Sequence, residues 1–225
     1  MISIIIPVRN EAQNISKNLN HLQELRRRNS CEIILVDGGS TDNTTEIANN
    51  LVDHILKTKL GRAVQQNIGA SIAKGNTLVF LHADTYITTK QLLSIKEDKI
   101  WGFFKVKFNN NKIKYKILSF FINLRSMLYN YGTGDQILYI EKNIFNKIKG
   151  FPDLMIMEDI AICSMLKKIS TPIIINSHAI TSSRRWDDDG FVRTILKMRA
   201  LRFLYHIGVK THILQRLYKL SLIHI

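Results

Sequence analysis

Residues 78–85 read Leu-Val-Phe-Leu-His-Ala-Asp-Thr, a buried run followed at once by two potential ligands. Four apolar residues in a row are typical of a strand in a parallel sheet. His82 and Asp84 follow at its carboxyl end, where ligands bind in open α/β sheets. A carboxylate there can hold Mg²⁺ or Mn²⁺ on a diphosphate, because both cations take oxygen ligands. In the alternative, Asp84 caps the next turn and His82 fills space.

Strands and helices alternate up to this point. Short apolar runs predict strands over 2–6, 32–36, 53–57 and 78–81. Apolar residues at helical spacing predict helices over 10–28, 41–50 and 63–73. Strands that alternate with helices form a parallel sheet with right-handed crossovers. Residues 1–85 therefore read β-α-β-α-β-α-β, the architecture of a nucleotide-binding half-domain.

The second half is mixed. Strand character returns over 100–108, 137–140 and 172–183, and helices are predicted over 88–98, 112–130, 141–149 and 158–169. A loop is expected over 187–190, followed by two basic amphipathic helices over 191–205 and 210–222. We predict an α/β fold with a mostly parallel central sheet, helices on both faces and a mixed second half. The last two helices either pack on their own domain or lie on an anionic membrane.

Size and charge narrow the class of protein. The chain has 225 residues, 45% of them hydrophobic, and a formal net charge of +14. This favours one domain with a real core and an anionic partner such as a diphosphate, a lipid phosphate or a membrane surface. A nucleic-acid partner is not expected, because aromatic residues are not interleaved with the basic ones as stacking platforms require.

The same composition suggests a cytoplasmic protein, with possible contact at the inner face of the membrane. Cys31 and Cys163 lie in apolar runs and are interpreted as reduced core residues. No run approaches the ~20 apolar residues of a membrane span. The first apolar run ends at Pro7 without a basic leader, so we interpret it as a strand and not a signal peptide.

Several polar motifs follow the predicted strands in a fixed order. They are IIIPVRNEAQNI, EIILVDGGSTDNT, GRAVQQNIGA, LVFLHADT, GDQ, GFP with MEDI, and SSRRW. Together they resemble family-2 glycosyltransferases of the GT-A fold over nearly the whole chain. The likeness is closest to small stand-alone bacterial members that carry HADT in place of the metal motif Asp-X-Asp.

This resemblance implies a binding site for a UDP- or GDP-sugar. Pro7, Arg9 and Glu11 would line the nucleoside pocket, Asp37 would accept hydrogen bonds from the base, and Gly38 would let the backbone approach. Further along the chain, Arg62 would pair with the nucleotide and Asn67 would hold the pocket wall.

The resemblance also implies a divalent metal, Mg²⁺ or Mn²⁺, with Asp84 as its ligand. The sequence departs from Asp-X-Asp at position 82, where a histidine replaces the first carboxylate. His82 would contact the ribose or the metal.

For catalysis, the resemblance makes Asp159 the general base of an inverting displacement. Arg185 would neutralise the leaving diphosphate, and Trp186 would stack on an acceptor sugar or close the pocket. In the alternative, Glu158 and Asp159 merely stabilise a helix N-terminus, and Trp186 anchors a loop.

The acceptor side would include Asp135, Gln136, Glu158 and Trp186, although Asp135 is equally well explained as a turn residue. The acceptor itself, a sugar, a lipid or a small molecule, is not identified by the sequence. The expected division is one domain with a donor half over 1–98, an acceptor and catalytic half over 99–190, and C-terminal helices over 191–225.

Two other functions fit less well. Nucleotidyl transfer would need a glycine-rich basic loop after the first strand, and none is present. A catalytically weak nucleotide- or membrane-surface-binding module of the same fold remains as the alternative.

Overall fold

The structure, a computed structural model, describes residues 1–95 and 100–220, with side chains to Tyr218. Its centre is an eight-stranded sheet in the order β3-β2-β1-β4-β7-β6-β8-β5. The strands are β1 (Ile2–Val8), β2 (Cys31–Asp37), β3 (His54–Lys57), β4 (Thr77–Phe80), β5 (Thr85–Tyr86), β6 (Trp101–Phe108), β7 (Leu138–Glu141) and β8 (Ile173–Thr181).

The sheet has a parallel half and a mixed half. Strands β3, β2, β1 and β4 are all parallel. Strand β7 runs antiparallel to both β4 and β6, and β8 runs parallel to β6. As a result, the carboxyl ends of β1, β2, β4 and β8 and the start of β7 share one edge. The predicted α/β fold is confirmed, including its mixed second half.

Helices cover both faces of this sheet. They are α1 (Ile15–Asn20), α2 (Gln23–Arg27), α3 (Thr44–Ala48), α4 (Arg62–Ile72), α5 (Thr89–Leu93), α6 (Ile113–Tyr129), α7 (Lys142–Lys147), α8 (Glu158–Leu166), α9 (Arg184–Asp188), α10 (Phe191–His206) and α11 (Thr211–Leu220). Short 3₁₀ turns lie over Asn49–Leu51 and Gly134–Gln136.

Two hydrophobic cores lie on opposite sides of the sheet, because successive strand residues point to opposite faces. Ile4 and Ile6 face one core with helices α1, α2, α3 and α5. Ile5 faces the other with α4, α7, α8, α10 and α11. Gly69 lets α4 lie close to the sheet, since a Cβ there would come within 2.5 Å of Ile5 Cγ2.

The predicted helix over 10–28 is wrong in its start and its continuity. Asn10 has a left-handed φ of 55°, and the chain becomes helical only at Ile15. The backbone N–H of Glu11 donates to Thr44 at the start of α3, and that of Ala12 donates to Asp42 in the loop after β2, which holds residues 11–12 against the neighbouring segment. A turn at residues 21–22 then separates α1 from α2.

Smaller differences concern other segments. The predicted helix over 88–98 is observed as α5, and residues 96–99 lie outside the described part. Strand β5 was not predicted, because its two residues are held by pairing with β8 at the sheet edge. The expected loop over 187–190 is helical as far as Asp188. Of the predicted helix over 210–222, residues 221–222 lie outside the described part.

The C-terminal helices pack on their own domain. Leu201 of α10 and Leu214 of α11 are buried in the second core. Within residues 1–95 and 100–220, none of the helices combines the length and apolar content that crossing a bilayer requires.

Candidate functional site

The loops after β1 and β2 are fastened to one another at the carboxyl edge of the sheet. The backbone N–H of Asn10 donates to Ser40 Oγ at 2.9 Å, and the Asn10 side chain accepts from the N–H of Thr41 at 2.8 Å. Glu11 N–H donates to Thr44 Oγ1 at 2.8 Å. These bonds across about 30 residues of sequence fix the shape of the edge before any ligand binds.

Asp37 ends β2 and shapes the loop that follows. Its buried carboxylate accepts the Ser40 N–H at 3.0 Å and the Ser40 hydroxyl at 2.5 Å. Each carboxylate oxygen has two lone pairs, so acceptor capacity is left for a ligand N–H. Of the residues predicted to line the nucleoside pocket, Pro7 and Glu11 are half-buried and Arg9 is exposed, and all three lie at the carboxyl end of β1.

Gln65 is a structural residue of this edge that the sequence analysis missed. It is 2% exposed, and its amide donates to the carbonyls of Val8 at 3.0 Å and Val36 at 2.8 Å. Those carbonyls belong to the last residue of β1 and the second-last residue of β2. A Cβ on Gly38 would meet the Gln65 amide at 3.0 Å, so Gly38 and Gln65 fit closely together. The sequence does contain a signal for this structural role of Gln65, because a polar residue on the side of α4 that faces the sheet must find hydrogen-bond partners there.

The turn after β4 brings His82 and Asp84 next to Asp135, which is 51 residues or more away in sequence. One ligand atom from each of these three side chains lies within 4.8 Å of the others. His82 Nδ1 is 3.6 Å from Asp135 Oδ1, and Asn18 of α1 holds the turn by donating to the Ala83 carbonyl. The sequence analysis assigns Asp135 to the acceptor side. In the structure its carboxylate also lies beside His82 and Asp84, and these three side chains form the candidate metal cluster.

Gly134 makes this approach possible. A Cβ at that position would lie 1.9 Å from His82 Cε1, so the imidazole ring rests directly on the glycine backbone. His82 Nε2 is buried without a hydrogen-bond partner among the described residues. The other ring nitrogen, Nδ1, faces Asp135, and one imidazole nitrogen with two carboxylates is a donor set that a divalent cation can use.

Charge interactions set the protonation of this cluster. Burial lowers the pKa of His82, but contact with Asp135 outweighs it and leaves the pKa raised. For Asp135, burial raises the pKa, and His82, Arg62 and Arg185 together bring it below its usual value. The two side chains thus stabilise each other's charged forms when no cation is bound.

Asp159 lies in the first turn of α8, across the same loop. Its carboxylate accepts the Gly134 N–H at 2.8 Å. Burial, followed by repulsion from Glu158, raises the pKa of Asp159 to about 6 against the opposing effect of His82 and Arg62. A carboxylate with a raised pKa among other charged side chains is a candidate for proton transfer.

Arg62 opens α4 and faces the acidic residues. Its Nη1 is 3.4 Å from Oε1 of buried Glu158. Burial lowers the pKa of Arg62, but the negative charges of Glu158, Asp159 and Asp135 outweigh burial, and the net result is a raised pKa. The guanidinium is therefore a permanent cation beside the candidate metal cluster.

Asn67, the residue expected to hold the pocket wall, makes two hydrogen bonds to the backbone of one residue, Phe151. It donates to the Phe151 carbonyl at 2.8 Å and accepts the Phe151 N–H at 2.9 Å. Gly150 fits against it, since a Cβ there would come within 2.5 Å of Asn67 Oδ1. With both amide atoms in use, Asn67 positions the loop before α8.

Residues of α9 are divided between the site and the core. Arg184 Nη2 lies 3.5 Å from Glu11 Oε1, which links the end of β8 to the loop after β1. Arg185 lies over the Tyr218 ring at 5.0 Å and is close enough to Asp135 to lower its pKa. Trp186 packs edge-on against Phe108 at 5.8 Å and stays partly exposed.

Gln136 does not reach the surface of the site. It is fully buried, and it bonds Ser126 of α6 at 2.8 Å and the Phe104 carbonyl at 3.3 Å. The side chain thus supports the 134–136 turn from behind.

Two further arginines near the cleft were not singled out by the sequence analysis. Arg125 of α6 lies over the Tyr131 ring at 5.1 Å, and its Nε and Nη2 are buried without a hydrogen-bond partner among the described residues. Burial and the nearby Arg202 lower the pKa of Arg125 to about 10. The negative charge of Asp135 opposes this lowering for Arg125, and it also opposes the lowering of the Arg202 pKa by burial. Arg125 lies in α6 and Arg202 in α10, so the two come close only through the tertiary packing of these helices, which the sequence pattern does not show.

Comparison with known sequences adds family evidence. Residues 3–136, more than half of the chain, match the family described as Glycosyl transferase family 2. An uncharacterized glycosyltransferase of Haemophilus influenzae is 35% identical over 99 residues, which are 41% of this chain and 39% of that protein. Glycosyltransferase AglE of Haloferax volcanii is 37% identical over 91 residues, which are 37% of this chain and 30% of that protein. The match thus spans less than half the length of either relative.

Solved structures share the fold at low sequence identity. TarS 1-349 from S. aureus in complex with UDP has a TM-score of 0.61 at 18% identity, covering 80% of this chain and 60% of that one. The mannosyltransferase PcManGT from Pyrobaculum calidifontis, in complex with GDP-Man and Mn²⁺, has a TM-score of 0.59 at 16% identity, covering 80% and 56%. Glucosyl-3-phosphoglycerate synthase from Mycobacterium tuberculosis, with Mg²⁺ and UDP, has a TM-score of 0.57 at 14% identity, covering 80% and 70%.

Proposed function

The chain belongs to glycosyl transferase family 2, and we propose that it moves a sugar from a nucleoside-diphosphate sugar to a hydroxyl acceptor with inversion. One observation carries the proposal: a single loop joins a candidate base to a candidate cation site. Gly134 N–H binds Asp159, and the next residue, Asp135, contacts His82.

The donor would bind at the carboxyl edge of the parallel half. Pro7, Arg9 and Glu11 would line the nucleoside pocket, with Asp37 receiving a base N–H and Gly38 allowing close approach. UDP or GDP is the proposed nucleotide, because structures of the same fold hold UDP or GDP-Man. The HADT sequence at 82–85 supports placing the chain in a subgroup that lacks Asp-X-Asp.

The residues of the candidate metal cluster fit a divalent cation. His82, Asp84 and Asp135 would hold it, with Asp84 as the ligand that the resemblance implies. Carboxylates suit Mg²⁺ and Mn²⁺, and the imidazole nitrogen favours Mn²⁺ over Mg²⁺. Such an ion would offset the negative charge of the donor's diphosphate.

Asp159 would act as the general base. The acceptor hydroxyl gives its proton to the Asp159 carboxylate while its oxygen bonds to the anomeric carbon, and the bond from that carbon to the diphosphate oxygen breaks. A pKa of about 6 leaves the carboxylate ionised at neutral pH yet more basic than an ordinary aspartate. Arg62 and Arg185 would stabilise the departing diphosphate by charge.

The acceptor would enter from the second half of the chain. Asp135, Glu158 and Trp186 are the proposed acceptor-side residues, with Gln136 supporting them from below. In this proposal, residues 1–98 form the donor half, 99–190 the acceptor and catalytic half, and 191–225 the C-terminal helices of one domain. A cytoplasmic location stays a prediction.

The Asp159→Asn variant distinguishes this enzyme from a nucleotide-binding module. With water taking the place of the acceptor hydroxyl, we expect it to hydrolyse UDP-glucose, UDP-GlcNAc and GDP-mannose to free sugar and UDP or GDP about 10²–10⁴-fold more slowly in the presence of Mn²⁺. Nucleotide affinity should change less than about threefold, because the base contacts the acceptor. Asp153→Asn, at an exposed position before α8, is the matched control and should retain full activity.

Unchanged turnover in Asp159→Asn would remove Asp159 as the base. A wild-type protein that binds nucleotide with Mn²⁺ but turns over none of these sugars would favour the binding module.

A further inference from the structure

Helix α6 is oriented with its apolar side outward. Its buried residues are Tyr115, Ser119 and Ser126, two of them polar. Six large apolar residues at spacings of three and four face solvent and define the α6 face: Ile113 (70% exposed), Ile117 (50%), Phe120 (62%), Phe121 (55%), Leu124 (38%) and Leu128 (68%). An amphipathic helix normally turns such a stripe toward the core.

The inward side of α6 explains this orientation. Strand β7 pairs with β6 only as far as Phe103. Beyond that point Asn123 donates to the Val106 carbonyl and accepts the Val106 N–H, both at 2.9 Å. The helix thus covers an open strand edge with polar groups, as buried backbone groups require. Its apolar residues are left over for another partner.

The surroundings of the α6 face are basic. From Ile100 to Gly134 the sequence contains five lysines, one arginine and no Asp or Glu. Lys107, Lys112 and Lys116 are exposed, while Lys114 pairs with Asp187 at 3.4 Å. Lys116 and Lys114 lie on opposite sides of the apolar stripe at the start of the helix.

A groove of about 530 Å³ runs beside the stripe, between α6 and β6. Phe120, Leu124 and Met127 line one side, and Lys105 and Lys107 lie on the other. His178 also faces it, and burial together with these two lysines lowers its pKa. The groove therefore combines an apolar wall with a positive potential.

We propose that the α6 face is a docking surface for an anionic lipid bilayer. The helix would lie in the plane of the interface, with its apolar stripe among the acyl chains and its lysines at the headgroups. Its 17 residues span about 25 Å along the surface. The protein would be held at the membrane by this face of α6, independently of the reaction that it catalyses.

Charge favours a bilayer over a second copy of the chain. A two-fold dimer sets the same surface patch against itself, which would bring the lysines around the two α6 faces together. An anionic headgroup layer complements those lysines. A bilayer also accepts an elongated apolar stripe without requiring a matching protein surface.

Vesicle co-sedimentation of the full chain tests this surface. Vesicles of phosphatidylcholine alone are compared with vesicles that contain one-third phosphatidylglycerol. We expect wild type to bind the anionic vesicles at least about tenfold more tightly, and the difference to shrink in high salt. Phe120→Ser with Leu124→Ser should weaken binding at least about tenfold, since both side chains are exposed and their loss leaves the core intact.

Phe203→Ser is the matched apolar control, because Phe203 of α10 is 64% exposed and Phe120 is 62% exposed. It should change binding less than about twofold. Lys112→Gln with Lys116→Gln should weaken binding about 25-fold, at roughly fivefold for each lysine. Lys17→Gln with Lys147→Gln, at exposed positions elsewhere, should have a much smaller effect.

Several results would overturn the proposal. They are an absence of vesicle binding by wild type, equal binding to both kinds of vesicle, or an equal loss in Phe203→Ser. A concentration-dependent dimer in sedimentation velocity that Phe120→Ser with Leu124→Ser abolishes would show that a second copy covers the face.

Discussion

The two sides of the candidate site, the loops after β1 and β2 and the charged residues around Asp135 and Asp159, are built from different interactions. On the proposed donor side, the segment after β1 is joined to the segment after β2 by hydrogen bonds that backbone N–H groups donate to the side chains of Asn10, Ser40, Asp42 and Thr44. Gln65 binds the strand ends beneath them. On the other side, carboxylates, guanidinium groups and an imidazole face one another. The first side has a fixed shape, whereas the second depends on protonation and bound cations.

This difference separates the interactions that stabilise the protein from those of the residues proposed to perform chemistry. Satisfied hydrogen bonds on the proposed donor side favour folding and fix the loops after β1 and β2. On the catalytic side, Glu158 lies next to Asp159, and the repulsion between them is one cause of the raised pKa of Asp159. Substitutions on the two sides should therefore change stability in opposite directions.

The largest stability effect is expected at Gln65. Gln65→Leu removes both hydrogen bonds to the carbonyls of Val8 and Val36 and should lower the free energy of unfolding by about 2 kcal/mol. Gln66→Leu is its control on the same helix, because Gln66 is equally buried but its Oε1 has no hydrogen-bond partner among the described residues. That variant should be neutral or stabilising. Urea denaturation measures both, and equal losses would contradict the role given to Gln65.

A smaller effect of opposite sign is expected at Asp159. Asp159→Asn should raise the free energy of unfolding by about 1–2 kcal/mol above pH 6, where the carboxylate is charged in a site that disfavours the charge. Below pH 6 the folded protein binds a proton that the unfolded chain takes up only near the ordinary value of about 3.8. The advantage of the variant should therefore shrink between pH 6 and pH 4. Urea denaturation of both proteins across this range checks it; an advantage that grows on acidification would contradict the raised pKa.

The placement of the residues at the strand ends could be predicted from sequence because parallel strands determine where their ends meet. Once β1, β2 and β4 are identified, the residues that follow them must share one edge, and Glu11, Asp37 and Asp84 do so. The motifs themselves then identified the family.

The catalytic side required the structure. Contact between Asp135 and His82 depends on the antiparallel register that sets Leu138 opposite Phe80, and no local pattern encodes that register. The same holds for Arg125, whose position depends on packing between helices. Periodicity predicted that residues 112–130 form an amphipathic helix, but it does not say whether the apolar side meets a core or solvent.

Calorimetric titration of UDP and GDP, each with and without Mn²⁺, tests the central claim most directly. The account predicts that one of the two binds in a Mn²⁺-dependent way. It also predicts that Asp84→Asn lowers the affinity for Mn²⁺ in the presence of that nucleotide by about 100-fold or more. Even substitutions outside the ligand shell cost 10–100-fold in metal affinity. Nucleotide binding that is unaffected by Mn²⁺ and by Asp84→Asn would contradict a metal-assisted donor site at this edge of the sheet.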